Sequence, residues 1–359
     1  MDYMAEAIIL AKEALGYVSP NPAVGAVVVK EGHIIGRGHT QPVGGKHAEM
    51  VALEEAGKSA SGAELYVTLE PHAHHSLTPP CTDLIIKSGI TSVYIATKDP
   101  NPLVNGRGIK ALQNAGVKVS LGDRKQEADQ IIEAFAKYIT TGRPSVVAKF
   151  SMSLDGKIAT SQGESKWITG ASARASVHAL RSDYDSIMVG IGTVLKDNPK
   201  LTVRGHPRHD GNQPLRVIVD SATRTPSTSN VFSERGETLI ATASALSDDP
   251  ADLINAGASI VKFPDQDGRV DLDALIAFLG QQGLTSILVE GGSTLLGSLF
   301  DIRAIDKVVC YIAPSIIGGV GALTAVGGKG ITQLQDALQL QNITITPIGE
   351  DVMITGYPR

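Results

Sequence analysis

The segments Gly44-Gly45-Lys46-His47-Ala48-Glu49, Leu69-Glu70-Pro71-His72-Ala73-His74-His75 and Thr78-Pro79-Pro80-Cys81 constrain this chain more than any others. Imidazole nitrogen and thiolate sulfur are donors that zinc favours. A catalytic zinc takes three protein ligands and keeps its fourth position for water. A glutamate beside such a centre, not itself a ligand, is suited to moving protons. The pattern needs a fold in which helix starts and strand ends converge, as they do where open α/β sheets hold their ligands.

A histidine, a glutamate two residues on and a proline-led cluster ending in cysteine form the skeleton of the zinc deaminases. In that skeleton the glutamate carries protons, which gives Glu49 its expected role. The fit has one fault. The skeleton has Pro-Cys where this chain has Pro71-His72, leaving Cys81 as the only cysteine of the cluster. An isolated His-x-Glu usually marks a solvated helix start; the downstream cluster in register argues against that here.

Met4, Ile8, Ala11 and Leu15 recur at helical spacing and predict an amphipathic helix over 2–16, ended by Ser19-Pro20-Asn21-Pro22. Val24–Lys30 and His33–Arg37 read as a hairpin around Glu31-Gly32. A helix from His47, strands over 64–69, 92–97 and 117–121, and helices over 83–88, 106–115 and 124–138 follow. This alternation predicts a sheet covered by helices. Thr140-Thr141-Gly142-Arg143-Pro144 is short, polar and broken by Gly and Pro, so domains are expected at 1–143 and 144–359. The second part alternates again. Its strands are expected over 145–150, 185–190, 215–220, 238–243, 259–263, 286–290, 307–313, 341–347 and 351–356, and its helices over 171–182, 271–282 and 293–300. Gly205 to Asn212 reads as an exposed loop.

Composition excludes some functions. A net charge of -5 with mixed signs argues against a nucleic-acid or acidic-membrane partner, and 4% aromatic residues leave few platforms for stacked bases. The two cysteines, Cys81 and Cys310, are far apart in sequence, so no disulfide framework is expected and a reducing cytoplasm fits. Met1 to Glu6 lacks the basic start and apolar core of a signal peptide. No apolar run is long enough to span a bilayer.

Further phrases recur along the chain: Ser19–Val29 before His47, Asp99-Pro100-Asn101-Pro102-Leu103-Val104, Ser153–Ala159, Gly163–Thr169, Gly192–Arg204 and Val289-Glu290-Gly291-Gly292. In this order they resemble the bifunctional deaminase–reductase family of riboflavin biosynthesis over nearly the whole length. The resemblance implies an α/β chain: a cytidine-deaminase-like three-layer α/β/α domain, then a dihydrofolate-reductase-like α/β domain. It implies zinc and NADPH as cofactors, phosphorylated pyrimidine substrates, no nucleic-acid or membrane partner, and a homo-oligomer. The first domain would hydrolyse the 2-amino group of 2,5-diamino-6-(5-phosphoribosylamino)pyrimidin-4(3H)-one. The second would reduce the ribosyl group with NADPH to give 5-amino-6-(5-phosphoribitylamino)uracil.

The resemblance places the zinc ligands on His47, His72 and Cys81 and the proton shuttle on Glu49. Imidazole binds zinc well, so a two-His, one-Cys site is chemically sound. One thiolate fewer leaves the centre more positive, with a more acidic but less nucleophilic water. His74 and His75 match the family's own histidine pair, whereas Ser76-Leu77 stands where the family has Gly-Arg. The alternative is a reductase whose deaminase domain is impaired at His72. A nucleic-acid-editing deaminase ranks below both, as does a nucleotide-binding scaffold without turnover. Asn21 and Asn101 occupy Pro-flanked turns; turn geometry accounts for them, and the resemblance adds substrate contact.

Hydride transfer needs anchors rather than a nucleophile. Gly291-Gly292-Ser293-Thr294 follows a strand and opens a helix, a place where backbone can approach phosphate. It lacks the dinucleotide fingerprint and also fits an ordinary β–α turn. By resemblance Ser151, Trp167, Thr193, Asp197, Ser221 and Gly292, Ser293, Thr294, Leu295, Leu296, Gly297 and Ser298 contact NADPH. Ser165, Arg181, Leu201, Arg204 and Glu290 contact substrate, with Lys149 near Glu290. Arginine suits a phosphate because its planar fork donates paired hydrogen bonds. Trp167, the only tryptophan, also fits a core aromatic.

Overall fold

Asp2 caps the first helix by accepting a hydrogen bond from the Ala5 amide, and Met4, Ala7, Ile8 and Ala11 of α1 (Tyr3–Glu13) are buried. The chain then forms β1 (Gly25–Lys30), β2 (His33–His39), α2 (Ala48–Ala56), β3 (Glu64–Leu69), α3 (Cys81–Lys87), β4 (Ser92–Thr97), α4 (Arg107–Asn114), β5 (Lys118–Leu121), α5 (Lys125–Ile131) and α6 (Glu133–Thr141). The computed structural model describes residues 1–74, 79–206, 208, 210–244 and 251–359. It divides the chain into two units, Met1–Arg143 and Pro144–Arg359.

In the first unit the sheet order is β2-β1-β3-β4-β5. β1 pairs antiparallel with β2 and β3, whereas β3, β4 and β5 are mutually parallel. The parallel strands put the ends of β3 and β4 on one edge, and the loops that follow them build the site. Helices fall into two groups, α1 with α5 and α2 with α3 and α4, which gives the α/β/α layering. Gly36 and Gly38 let α2 lie directly on β2: a Cβ at Gly38 would come 2.3 Å from the Ala48 carbonyl oxygen.

The single helix expected over 124–138 is two, separated at Ile132 (φ -95°, ψ 7°). No glycine or proline marks this break in the sequence. Packing decides it, since α5 lies against α1 and β4 while α6 turns toward a cavity.

The second unit contains β6 (Ser145–Ser153), α7 (Ala171–Ser182), β7 (Ser186–Gly190), α8 (Ile191–Asp197), β8 (Leu215–Val219), β9 (Thr238–Thr242), α9 (Ala251–Asn255), β10 (Ala258–Lys262), α10 (Leu272–Gln281), β11 (Ser286–Val289), α11 (Ser293–Asp301), β12 (Lys307–Ala313), β13 (Leu340–Ile348) and β14 (Asp351–Pro358). Its sheet runs β10-β9-β8-β7-β11-β6-β12-β14-β13. The strands from β10 to β12 are parallel, and β14 and β13 add antiparallel. Alternation divides the core between the two faces: Ile287 and Val289 of β11 pack in one cluster and Leu288 in another. α8 and α9 were not expected. Both are short, and Gly192 in the first turn of α8 weakens its helical signal. The stretch from Gly205 is exposed as expected at Gly205, His206 and Asp210 to Asn212, while Pro207 and His209 lie outside the described residues.

Candidate active sites

His47 is the residue before α2, and Glu49 stands in that helix's first turn, 4% exposed. A carboxylate there is favoured by the positive end of the helix dipole. Cys81 is the first residue of α3, and His72 follows the end of β3. The Thr82 amide donates to the His72 carbonyl at 3.3 Å, tying the β3 loop to α3. One donor atom from each of His47, His72 and Cys81 lies within 4.8 Å of the others. Cys81 Sγ is 3.5 Å from His47 Nδ1, and the two imidazole rings are 4.7 Å apart. Tetrahedral zinc, bonded at about 2.0–2.3 Å, needs ligand atoms roughly 3.5 Å from one another. The set therefore fits zinc in donor type and number, and the Cys81–His47 pair has the spacing. Burial pushes the Cys81 thiol well up, and the Glu49 carboxylate pushes it further. A coordinated cation opposes both effects and favours thiolate.

His47, Glu49 and His72 open on a cavity of about 280 Å³, also lined by Asn21, His74 and Asn101. Asn101 serves its turn too, accepting from the Leu103 amide at 3.0 Å. Sequence reasoning missed Glu70 and Asp99, which also line the cavity. Glu70 is buried, and its carboxylate accepts from the Gly106 amide at 2.8 Å and the Ile109 amide at 3.1 Å, anchoring the start of α4. Gly108 permits this approach, because a Cβ there would meet the Pro71 carbonyl at 1.8 Å. Burial pushes Asp99 up to about 6, aided by Glu70 and Glu49 and opposed by the Asn101 amide. The available signal was the Asp-Pro-Asn-Pro turn after β4, where the amide of residue 101 bonds back to Asp99 at 2.8 Å. His75, Ser76, Leu77 and Thr78 lie outside the described residues.

In the second unit Glu290, just past β11, bonds bidentately to Arg181 of α7, with Nη2–Oε2 at 2.9 Å. Lys149 Nζ of β6 stands 3.8 Å from the same carboxylate. Burial alone would raise Glu290, but Arg181 and Lys149 overcome it and hold the acid at about 2. Burial lowers Lys149, with Glu290 opposing. The Thr202 carbonyl accepts from Arg181 Nη1 at 2.9 Å and from His178 Nδ1 at 3.2 Å. Burial, then Arg181 and Arg204, lower His178, so its ring is neutral near pH 7. Leu201, before this carbonyl, is buried with φ +51°.

The remaining cofactor candidates spread along the edge where the parallel strands end. Ser151 lies on β6, Thr193 in the first turn of α8, and Ser221 just past β8. The Gly190 amide donates to the Gly291 carbonyl at 3.0 Å, joining the turns after β7 and β11. Ser165 Oγ donates to Asp197 Oδ1 at 3.2 Å. Trp167 is 70% exposed, with the Arg174 guanidinium over its ring, so the core-aromatic reading is wrong. Leu295, Leu296 and Gly297 are buried on the core side of α11, whereas Gly292, Ser293, Thr294 and Ser298 keep some exposure. An amphipathic helix that starts at an anion site must still turn one face inward.

Residues 1–97 match the zinc-binding region of cytidine and deoxycytidylate deaminases, and residues 144–354 match the RibD C-terminal domain. The riboflavin biosynthesis protein RibD of Actinobacillus pleuropneumoniae is 45% identical, over 99% of this chain and 94% of that protein. Form 1 of Acinetobacter baumannii RibD superposes with a TM-score of 0.86 at 34% identity, covering 99% of this chain and 98% of the other. The diaminohydroxyphosphoribosylaminopyrimidine deaminase/5-amino-6-(5-phosphoribosylamino)uracil reductase of Thermotoga maritima gives 0.85 at 37%, with the same coverage. The zinc-type donor triad in one unit and the buried Glu290 cluster in the other thus lie on a backbone shared end to end with these proteins. The chain belongs to the RibD family of bifunctional riboflavin-biosynthesis deaminase–reductases.

Proposed function

We propose that unit 1 deaminates 2,5-diamino-6-(5-phosphoribosylamino)pyrimidin-4(3H)-one and that unit 2 reduces the product to 5-amino-6-(5-phosphoribitylamino)uracil. The convergence of His47, His72 and Cys81 beside buried Glu49 carries the first half. Zinc held by those three side chains would supply a water acidic enough to react near neutral pH. Glu49 is placed to take a proton from the attacking water and to return one to the departing amino group, which would leave as ammonia. Asn21, Asn101 and Asp99 supply polar contacts around the ring. His72 brings an imidazole nitrogen within 4.8 Å of the His47 and Cys81 donor atoms, which supports an active site rather than a vestigial one.

In unit 2 NADPH supplies the hydride. Arg181 and Arg204 bind the substrate phosphate. Arg181 is held in place by Glu290 and the Thr202 carbonyl. Reduction of the ribosyl group adds one hydride to the anomeric carbon and one proton to the sugar oxygen it releases. Lys149 is the buried group positioned to hold that proton. Ser151, Thr193, Asp197, Ser221 and Gly292 to Thr294 carry the cofactor along the strand ends. Self-assembly through unit 2 belongs to the same reading, supported by exposed Ile343 and Ile345 on edge strand β13.

Ammonia release from the diaminopyrimidinone phosphate, with zinc and without NADPH, tests the first half. Release that disappears in Glu49→Gln supports it. A silent native chain restored by His72→Cys would leave a reductase with an impaired deaminase. NADPH oxidation with the deaminated substrate tests the second half.

A further inference from the structure

Helix α6 presents different faces to two cavities. Phe135, Tyr138 and Ile139 stand at helical i, i+3 and i+4 positions, hence on one face. All three line the cavity that also holds His47, Glu49 and His72. Ile132, Glu133 and Ala136 line a separate cleft of about 720 Å³ beside Thr97 and Leu121. Phe135 is buried in the core of unit 1, and Ile139 packs against it. Tyr138 is half-buried and lies outside that packed set. It borders the cavity without filling the core, and its ring combines an apolar body with a polar tip.

The chemistry-bearing residues all fall within 1–97, the region matched to cytidine and deoxycytidylate deaminases. A zinc centre and proton shuttle common to several pyrimidines cannot distinguish among them. Discrimination must come from the cavity walls, and α6 lies wholly outside the shared region. Catalysis requires the reacting amino group to face His47, His72, Cys81 and Glu49. The phosphoribosylamino substituent is then free to extend toward another wall.

Resting on the deaminase reading above, we infer that α6 sets the substrate specificity of the unit 1 site. Tyr138 receives the ribosylamino substituent, its hydroxyl hydrogen-bonding the sugar, while Phe135 and Ile139 form the apolar wall behind the pyrimidine. Tyr138 is thus a binding residue that leaves the chemical step to the metal site and Glu49.

Full-length Tyr138→Phe and Tyr138→Ala chains, loaded with zinc, test this by steady-state ammonia release. Removing one neutral hydrogen bond should raise KM roughly two- to tenfold in Tyr138→Phe, with kcat little changed. Tyr138→Ala should raise KM further. Zinc content and NADPH-dependent reduction should match the native chain, which reports intact folding of each unit. KM unchanged in both variants overturns the inference, as does a joint loss of zinc and kcat in Tyr138→Phe. Calorimetric titration of the same substrate into Glu49→Gln in the absence of NADPH, with and without Tyr138→Phe, reads binding without turnover. If the native chain releases no ammonia, the deaminase reading falls, and this titration still decides the role of Tyr138: weaker binding supports it and equal binding overturns it.

Discussion

The two units manage buried charge in opposite ways. In unit 1 the cavity is lined by imidazole and carboxyl groups, and burial pushes both the Cys81 thiol and the Asp99 carboxyl upward. Its balance is completed by a cation from outside the chain. In unit 2 the cations are part of the fold: Arg181 and Lys149 hold Glu290 down at about 2 although its side chain is only 7% exposed. A site that imports its charge should tolerate an exchange of donors, such as histidine at position 72. A site that carries its own depends on each member, because losing one leaves the others buried and uncompensated.

Removing the imported charge should give the largest difference between the units. Chelation of zinc should abolish ammonia release and leave NADPH oxidation by the deaminated substrate intact. Equal loss of both activities would break the contrast. Glu49→Gln should lower ammonia release by roughly 10²–10⁴, the usual weight of general acid–base catalysis, again sparing the reductase. A deaminase rate within tenfold of native would remove Glu49 from the proton path.

Glu290→Gln is the corresponding test of the built-in charge. It leaves Lys149 and Arg181 buried without their partner and should destabilise unit 2 by about 3–5 kcal/mol, with reduction impaired and deamination retained. Denaturant unfolding followed separately in each unit by hydrogen exchange would measure this. A stability change shared equally by both units would contradict it.

The smallest effect is the pH dependence, where the two carboxyls should act with opposite signs. Glu290 titrates at about 2 in the fold against an ordinary value of 4.5, so its contribution is present above that ordinary value and lost as pH falls toward 2. Asp99 titrates at about 6 against 3.8, so its folded form prefers the proton and its contribution to stability falls as pH rises between those values. Mild acidification should therefore protect unit 1 through Asp99, and stronger acidification should weaken unit 2 through Glu290. Comparing native protein with Asp99→Asn and Glu290→Gln would expose the signs; the same sign for both would refute the contrast.

The fold was largely legible because its signals are periodic. Short apolar runs such as 286–290, and helices with apolar residues at helical spacing such as the first, follow from local pattern. The break at Ile132 was not legible, since nothing in its residues opposes a continuous helix and the packing of α5 and α6 decides it. The zinc-type triad was legible because ligand chemistry restricts residue type and spacing. Asp99 and Tyr138 were not, because aspartate in a turn and tyrosine on a helix have many ordinary uses.

The sequence by itself determined the family, the two-part organisation of its α/β pattern and the residues able to bind metal or carry protons. Those depend on residue identity and spacing, which are local and chemical. Only the tertiary structure decided that His72 reaches the same point as His47 and Cys81, that Trp167 is exposed, that Leu295 and Leu296 belong to the core, and that α6 walls the cavity. Each of these depends on distances between segments remote in the chain, and such distances are set by packing.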